Sequence, residues 1–103
     1  MNRGEIRWYR FGAPDKRRPV VVLTRDSVLS YLGQVTIAPI TRTVRHIPSE
    51  VALGPADALP HECAINLDHV QTVSKDRVGS LIMTLPDERM KEVREALLFA
   101  LGF

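Results

Sequence analysis

Val20-Val21-Val22-Leu23 restricts the fold more than any other stretch of this chain. Four consecutive apolar residues, three of them β-branched, read as a short strand buried on both faces rather than on one. Arg17 and Arg18 stand at its entrance, and Pro19 fixes the backbone between the charges and the strand. Arg18 is thereby held at the end of a rigid element, where a guanidinium suits a phosphate, a carboxylate or a ring face. The plainer alternative is a solvated basic turn leading into a core strand.

The flanking chain supplies partners for that strand. Glu5 to Phe11 alternates, with Ile6 and Trp8 on one face and Glu5 and Arg7 on the other, as a half-buried strand does. Gly12-Ala13-Pro14-Asp15-Lys16 is turn chemistry. Val28, Leu29 and Leu32 follow at helical spacing, with Asp26 or Ser27 as cap and Gly33 as stop. Gln34 to Thr41 is predicted as a strand whose Pro39 marks an edge or a bulge. Thr41 to His46 is a basic loop, Ser49 to Leu53 a short strand, and Gly54 to Pro60 a proline-stiffened loop. Glu62 to Val73 reads as one long or bent strand, and Val78 to Leu85 as another.

The C-terminal end changes period. Met90, Val93, Leu97 and Leu101 form an apolar stripe opposite Lys91, Glu92, Arg94 and Glu95. Thr84 is the expected N-cap, with Pro86, Asp87 and Glu88 in the first turn and Gly102 as C-cap. The expected fold is mainly β (α+β): a small antiparallel barrel closed by one amphipathic helix. A chain of 103 residues fits one domain, residues 1–103, with a real core.

Charge narrows the partners. The net charge is only +2, yet Arg3, Arg7, Arg10, Lys16, Arg17, Arg18 and Arg25 crowd the first quarter against Glu5, Asp15 and Asp26. That bias favours a polyanion such as nucleic acid. The single cysteine, Cys63, excludes an internal disulfide and suits a buried place in a reducing, cytoplasmic setting. No apolar run approaches the about 20 residues of a membrane span, and Met1 to Glu5 lacks the apolar core of a secretion signal. No cluster of Asp, Glu, His or Cys has metal-ligand spacing, so neither metal nor cofactor is expected.

Arg3-Gly4-Glu5-Ile6-Arg7-Trp8, Arg18-Pro19-Val20-Val21-Val22-Leu23, Pro39-Ile40-Thr41 and Asn66-Leu67-Asp68-His69-Val70-Gln71-Thr72-Val73, with the C-terminal helix, occur in one order. In that order and total length the chain resembles the MazF/PemK/Kid toxins, sequence-specific endoribonucleases of bacterial type II toxin–antitoxin pairs. The resemblance implies a homodimeric SH3-like barrel with single-stranded RNA across the dimer groove. It also implies a MazE-like antitoxin whose disordered acidic tail lies over that groove. It assigns catalysis to Arg18 and Thr41, and cleavage by 2′-hydroxyl attack to a 2′,3′-cyclic phosphate and a 5′-hydroxyl.

A fixed guanidinium would stabilise charge gathering on the phosphoryl oxygens, and a threonine hydroxyl can donate to the same phosphate. Lys16, Arg17, Arg42, Thr43, Arg45, His46 and His69 are the candidate RNA contacts. Neither arginine nor threonine is a good base, so His69 is also the candidate for proton transfer. It stands where members of the resembled family often carry glutamine. His46 reads as a loop contact and His61 as part of the proline-rich turn. The first loop is shorter than in many such toxins, which leaves the groove more open and Asp15 as the stand-in for its acidic residue. A gyrase-binding toxin of the CcdB type, relying on an aromatic C-terminus such as Phe103, and a non-catalytic RNA-binding barrel are the competing readings.

Overall fold

In the computed structural model, residues 1–12 and 16–103 are described. Among the described residues seven strands and two α-helices follow one another, with short 3-10 turns between some of them: β1 (Glu5–Arg10), β2 (Arg17–Val22), α1 (Asp26–Leu29), β3 (Gln34–Thr41), β4 (Glu50–Leu53), β5 (Cys63–Asn66), β6 (Gln71–Ser74), β7 (Val78–Thr84) and α2 (Asp87–Leu101). All pairings are antiparallel, in the order β4-β5-β3-β2-β1-β7, with β6 on the same side of β3 as β5. The turn expected at residues 12–16, and Asp15 with it, lies largely outside the described residues.

The valine run is sandwiched as its composition demands. Val20, Val21 and Val22 are completely buried, but into different cores, because successive side chains of a strand leave on opposite faces. Val21 joins Ile6, Ala38, Ile40, Val51, Leu53, Cys63, Ile65, Leu67 and the α2 residues Val93 and Ala96 in the larger, inner core. Val20 and Val22 join Tyr9, Leu29, Val35, Ile37 and Val73 in a smaller, outer one. Glu5 lies on this outer side of β1 and is nevertheless buried, contrary to the simple alternation. Its carboxylate accepts from Arg7 Nε at 2.7 Å. Burial works against its ionisation, yet that bond and the backbone of Asn2 hold its pKa below the ordinary value.

The expected strand from Glu62 to Val73 is broken by a 3-10 turn at Leu67–His69. Along β3, Ile37 pairs with Gln71 and Ile40 with Ile65, so three steps on β3 match six on the opposing chain. Three residues are therefore looped out. Pro39 explains the location. The Leu23 N–H bonds the Thr36 carbonyl, so hydrogen-bonded pairs recur at Val21/Ala38 and Pro39 turns its nitrogen to the far side. That side faces the bulge, where no ladder donor is needed. Pro39 thus marks a bulge on a central strand, not an edge.

Both helices depart in detail from expectation. Helix α1 spans only Asp26–Leu29 after Arg25, without a side-chain cap, and Leu32 is left exposed. Asp26 instead accepts the Arg3 backbone N–H at 2.6 Å. Helix α2 starts after Pro86, not Thr84, which ends β7. Its buried residues are Val93 and Ala96; Met90 and Leu97 are partly buried and Leu101 is 57% exposed. Gly102 ends the helix in the left-handed region (φ 82°), with its N–H on the Leu98 and Phe99 carbonyls, as anticipated. Gly4 (φ 92°) lets Met90 approach: a Cβ there would sit 3.2 Å from the thioether sulfur.

Candidate active site and RNA interface

The two residues expected to carry catalysis share one face of the sheet. The β2–β3 ladder ends at Val20 and Pro39; by strand alternation Arg18 and Thr41, each two residues beyond that pair, lie on the outer face. Thr41 pairs on its other side with Ala64 of β5, and two residues along β5 Asn66 faces Glu50 of β4. Arg18, Thr41, Ala64, Asn66 and Glu50 therefore share one face. Thr41 Oγ1 accepts the Thr43 N–H at 3.1 Å, which leaves its hydroxyl hydrogen free to donate outward.

The other face of the same strand ends holds a cavity of about 560 Å³. Ile6, Trp8, Pro19, Ile40, Cys63 and Ile82 line its apolar part, while Lys16, Arg17, Arg18, Arg42 and His61 border it. Arg17 lies over the Trp8 ring, 5.1 Å from its centroid, as a cation–π pair. Arg18 thus borders both surfaces, whereas Thr41 and His69 do not line the cavity. Burial raises the Cys63 thiol pKa, with the Asp57 charge adding to it, so Cys63 is a packing residue and not a nucleophile.

The remaining candidates fall around the outer row. Arg42, Thr43, Arg45 and His46 are exposed on the loop after β3. Glu50 pins this loop by accepting the Arg45 N–H at 2.9 Å, and His46 holds a left-handed backbone (φ 54°). Among the described residues, none of Lys16, Arg17, Arg18, Arg42 and Arg45 forms an ion pair. His69 lies not on a strand but at the end of the 3-10 turn, exposed, 3.3 Å from Asn66 through Nδ1.

Two residues take places that sequence spacing does not reveal. His61, read as part of the proline-rich turn, borders the cavity beside Leu59 and Pro60. Asn66 was legible only as part of a motif, although an Asx residue two positions before a turn amide is a local signal for capping. It accepts the Asp68 N–H at 3.0 Å and is itself buried. Among the described residues no three His, Cys, Asp or Glu side chains converge as metal ligands, and no helix is long and apolar enough to cross a membrane.

With this geometry in hand, comparison with known proteins is informative. Residues 2–101 match the family described as PemK-like, MazF-like toxin of type II toxin-antitoxin system. The chain is 42% identical over 96 residues to probable endoribonuclease MazF5 of Mycobacterium tuberculosis (strain ATCC 25618 / H37Rv), covering 92% of this chain and 87% of that one. It is 34% identical over 103 residues to probable endoribonuclease MazF2 of the same strain, covering 99% of each. Among solved structures, Mycobacterium tuberculosis toxin MazF-mt6 superposes with a TM-score of 0.87 at 32% identity, covering 96% of this chain and 97% of its own. A mycobacterial endoribonuclease in complex with its cognate antitoxin gives 0.88 at 27% identity, covering 100% and 96%. These matches bear out the small antiparallel barrel with its C-terminal helix, and the chain belongs to the PemK-like, MazF-like toxins of type II toxin–antitoxin systems.

Proposed function

We propose that residues 1–103 act as one toxin domain that cuts single-stranded RNA, with Arg18 and Thr41 as its catalytic residues. What supports this reading is that Arg18 and Thr41, each two residues beyond the Val20/Pro39 pair, lie on one face of the sheet by strand alternation. The 2′-hydroxyl attacks the adjacent phosphorus, the bond from phosphorus to the 5′-oxygen breaks, and a 2′,3′-cyclic phosphate and a 5′-hydroxyl result. The attacking hydroxyl gives up its proton and the leaving oxygen gains one. Arg18 stabilises the charge on the non-bridging oxygens, and Thr41 donates its hydroxyl hydrogen to the same group. Dependence on the 2′-hydroxyl makes RNA, not DNA, the substrate. Lys16, Arg17, Arg42, Thr43, Arg45 and His46 hold the flanking phosphates and bases.

The same basic surface suits the acidic tail of a MazE-like antitoxin in the bacterial cytoplasm. A second copy of the chain covers apolar surface left open here: Phe103 is 89% exposed and Tyr31 82%. The test is incubation of purified protein with total RNA in EDTA, followed by mapping of 5′-hydroxyl ends. Discrete cut sites are expected. Intact RNA would favour a binding-only barrel or a gyrase-directed toxin, and activity restored by added metal would overturn the mechanism.

A further inference from the structure

We propose that Asn66 is a specificity-determining positioning residue: it holds His69 as the Nε2–H tautomer, so the RNA group that meets this ring must be a hydrogen-bond acceptor. The inference rests on the nuclease reading above and deepens it.

The chain of bonds leaves little freedom. Asp68 N–H is a donor and nothing else, and it lies 3.0 Å from Asn66 Oδ1. The amide orientation is thereby fixed, since the reverse would set NH₂ against N–H. Asn66 Nδ2, a donor, then faces His69 Nδ1 at 3.3 Å, which must accept. A neutral ring accepting at Nδ1 carries its proton at Nε2. The adjacent Asp68 makes no hydrogen bond to His69 among the described residues; its Oδ2 accepts the Ser49 hydroxyl at 2.5 Å. Glu50, which faces Asn66 across β4 and β5, accepts the Arg45 N–H through Oε1 and makes no hydrogen bond to Asn66 or His69 among the described residues. Asn66 and Ser49 are both buried, so the scaffold is rigid while the ring it orients is exposed.

Placement makes the ring relevant to RNA. Asn66 stands on the Arg18–Thr41 face, one strand over from Thr41 and two residues along β5, about 7 Å of strand. A base next to a phosphate held at Arg18 and Thr41 reaches that distance. Nε2 makes no hydrogen bond among the described residues. It offers a donor and no lone pair, so His69 reads a base rather than taking a proton from the 2′-hydroxyl.

Asn66→Asp inverts the instruction. A carboxylate still caps the Asp68 N–H but can only accept from the ring, which moves the imidazole proton to Nδ1 and leaves Nε2 as acceptor. The experiment joins long-range ¹H–¹⁵N correlation of His69 at pH 8.5, above the ordinary imidazole range, to cleavage-site sequencing on a randomised RNA. Wild type should show protonated Nε2, and Asn66→Asp protonated Nδ1. The variant should change relative preference at one base position by about tenfold or more, as losing a base hydrogen bond does. His69→Gln, which presents either polarity, should relax preference at that same position and serves if Asn66→Asp does not fold. A wild-type ring protonated at Nδ1, or inverted tautomer or His69→Gln with unchanged preference, would overturn the proposal. Wild-type protein that cuts no RNA would sink the nuclease reading and the specificity role with it, while the spectra would still decide the tautomer.

Discussion

At their basic ends, β2 and β3 present two surfaces made from alternate residues of the same few positions. The outer one carries Arg18 and Thr41 and continues through Asn66 on β5. The inner one carries Pro19 and Ile40, with Trp8, Cys63 and Ile82, around a partly open, mainly apolar cavity. The cavity is the more conspicuous feature, but Thr41 does not line it. Its lining offers dispersion contacts and a charged rim; the outer row carries a guanidinium, a hydroxyl and, beyond Asn66, an imidazole. A one-residue slip of β2 against β3 would exchange the two sets. The buried valines forbid it, because both faces are committed to packing. The Val20-Val21-Val22 run therefore also fixes the face on which Arg18 lies.

The contrast can be broken by single substitutions. Arg18→Ala should cost about a hundredfold or more in single-turnover cleavage, the usual loss for a transition-state donor, with an unchanged circular dichroism spectrum. A variant of near-normal rate would remove Arg18 from catalysis. Across the strands, His61→Ala on the cavity rim should change the rate by no more than about twofold, as an ordinary surface substitution does. A loss as large as that of Arg18→Ala would move the chemistry to the inner surface and make His61 the proton carrier.

The smallest effect belongs away from both faces. Arg89 on α2 bonds Asp57 through Nε and Nη2 at 2.9 and 3.0 Å, while Asp57 also caps the Gly54 N–H. The Arg89 hydrogen bonds hold the Asp57 pKa below its ordinary value against the opposing effect of burial. Asp57→Asn should lower unfolding stability by about 1–2 kcal/mol at neutral pH and leave cleavage sites unchanged. Because the folded pKa is depressed, this contribution is present above the ordinary aspartate value and is lost as pH falls through the folded one. Urea melts of the two proteins should therefore converge in acid. A gap that persists there would mean that packing, not charge, holds the loop.

Much of this was legible in residue order alone. The doubly buried β2 and the Gly102 stop follow from local pattern. Other features are set by contacts distant in sequence. Glu5 looked like a solvent-facing residue because alternation knows nothing of the Arg7 bond that permits its burial. Leu101 looked like core because helical spacing cannot say where the sheet beneath the helix ends. The break at Leu67–His69 is hidden in a run of strand-like residues, and only the Pro39 register across β3 explains its position. His69 could be marked as interesting, but not as donor or base, until Asn66 and Asp68 were seen around it.

The central claim is that Arg18 and Thr41 act together on one phosphate, and a double-mutant cycle tests it most directly. Single-turnover rates at saturating RNA would be measured for Arg18→Ala, Thr41→Ala and the double variant. Residues that act as a unit give strongly non-additive losses. The double variant should therefore be about as slow as Arg18→Ala alone. Losses that multiply in full would contradict the account, since the two side chains would then serve separate steps or separate sites.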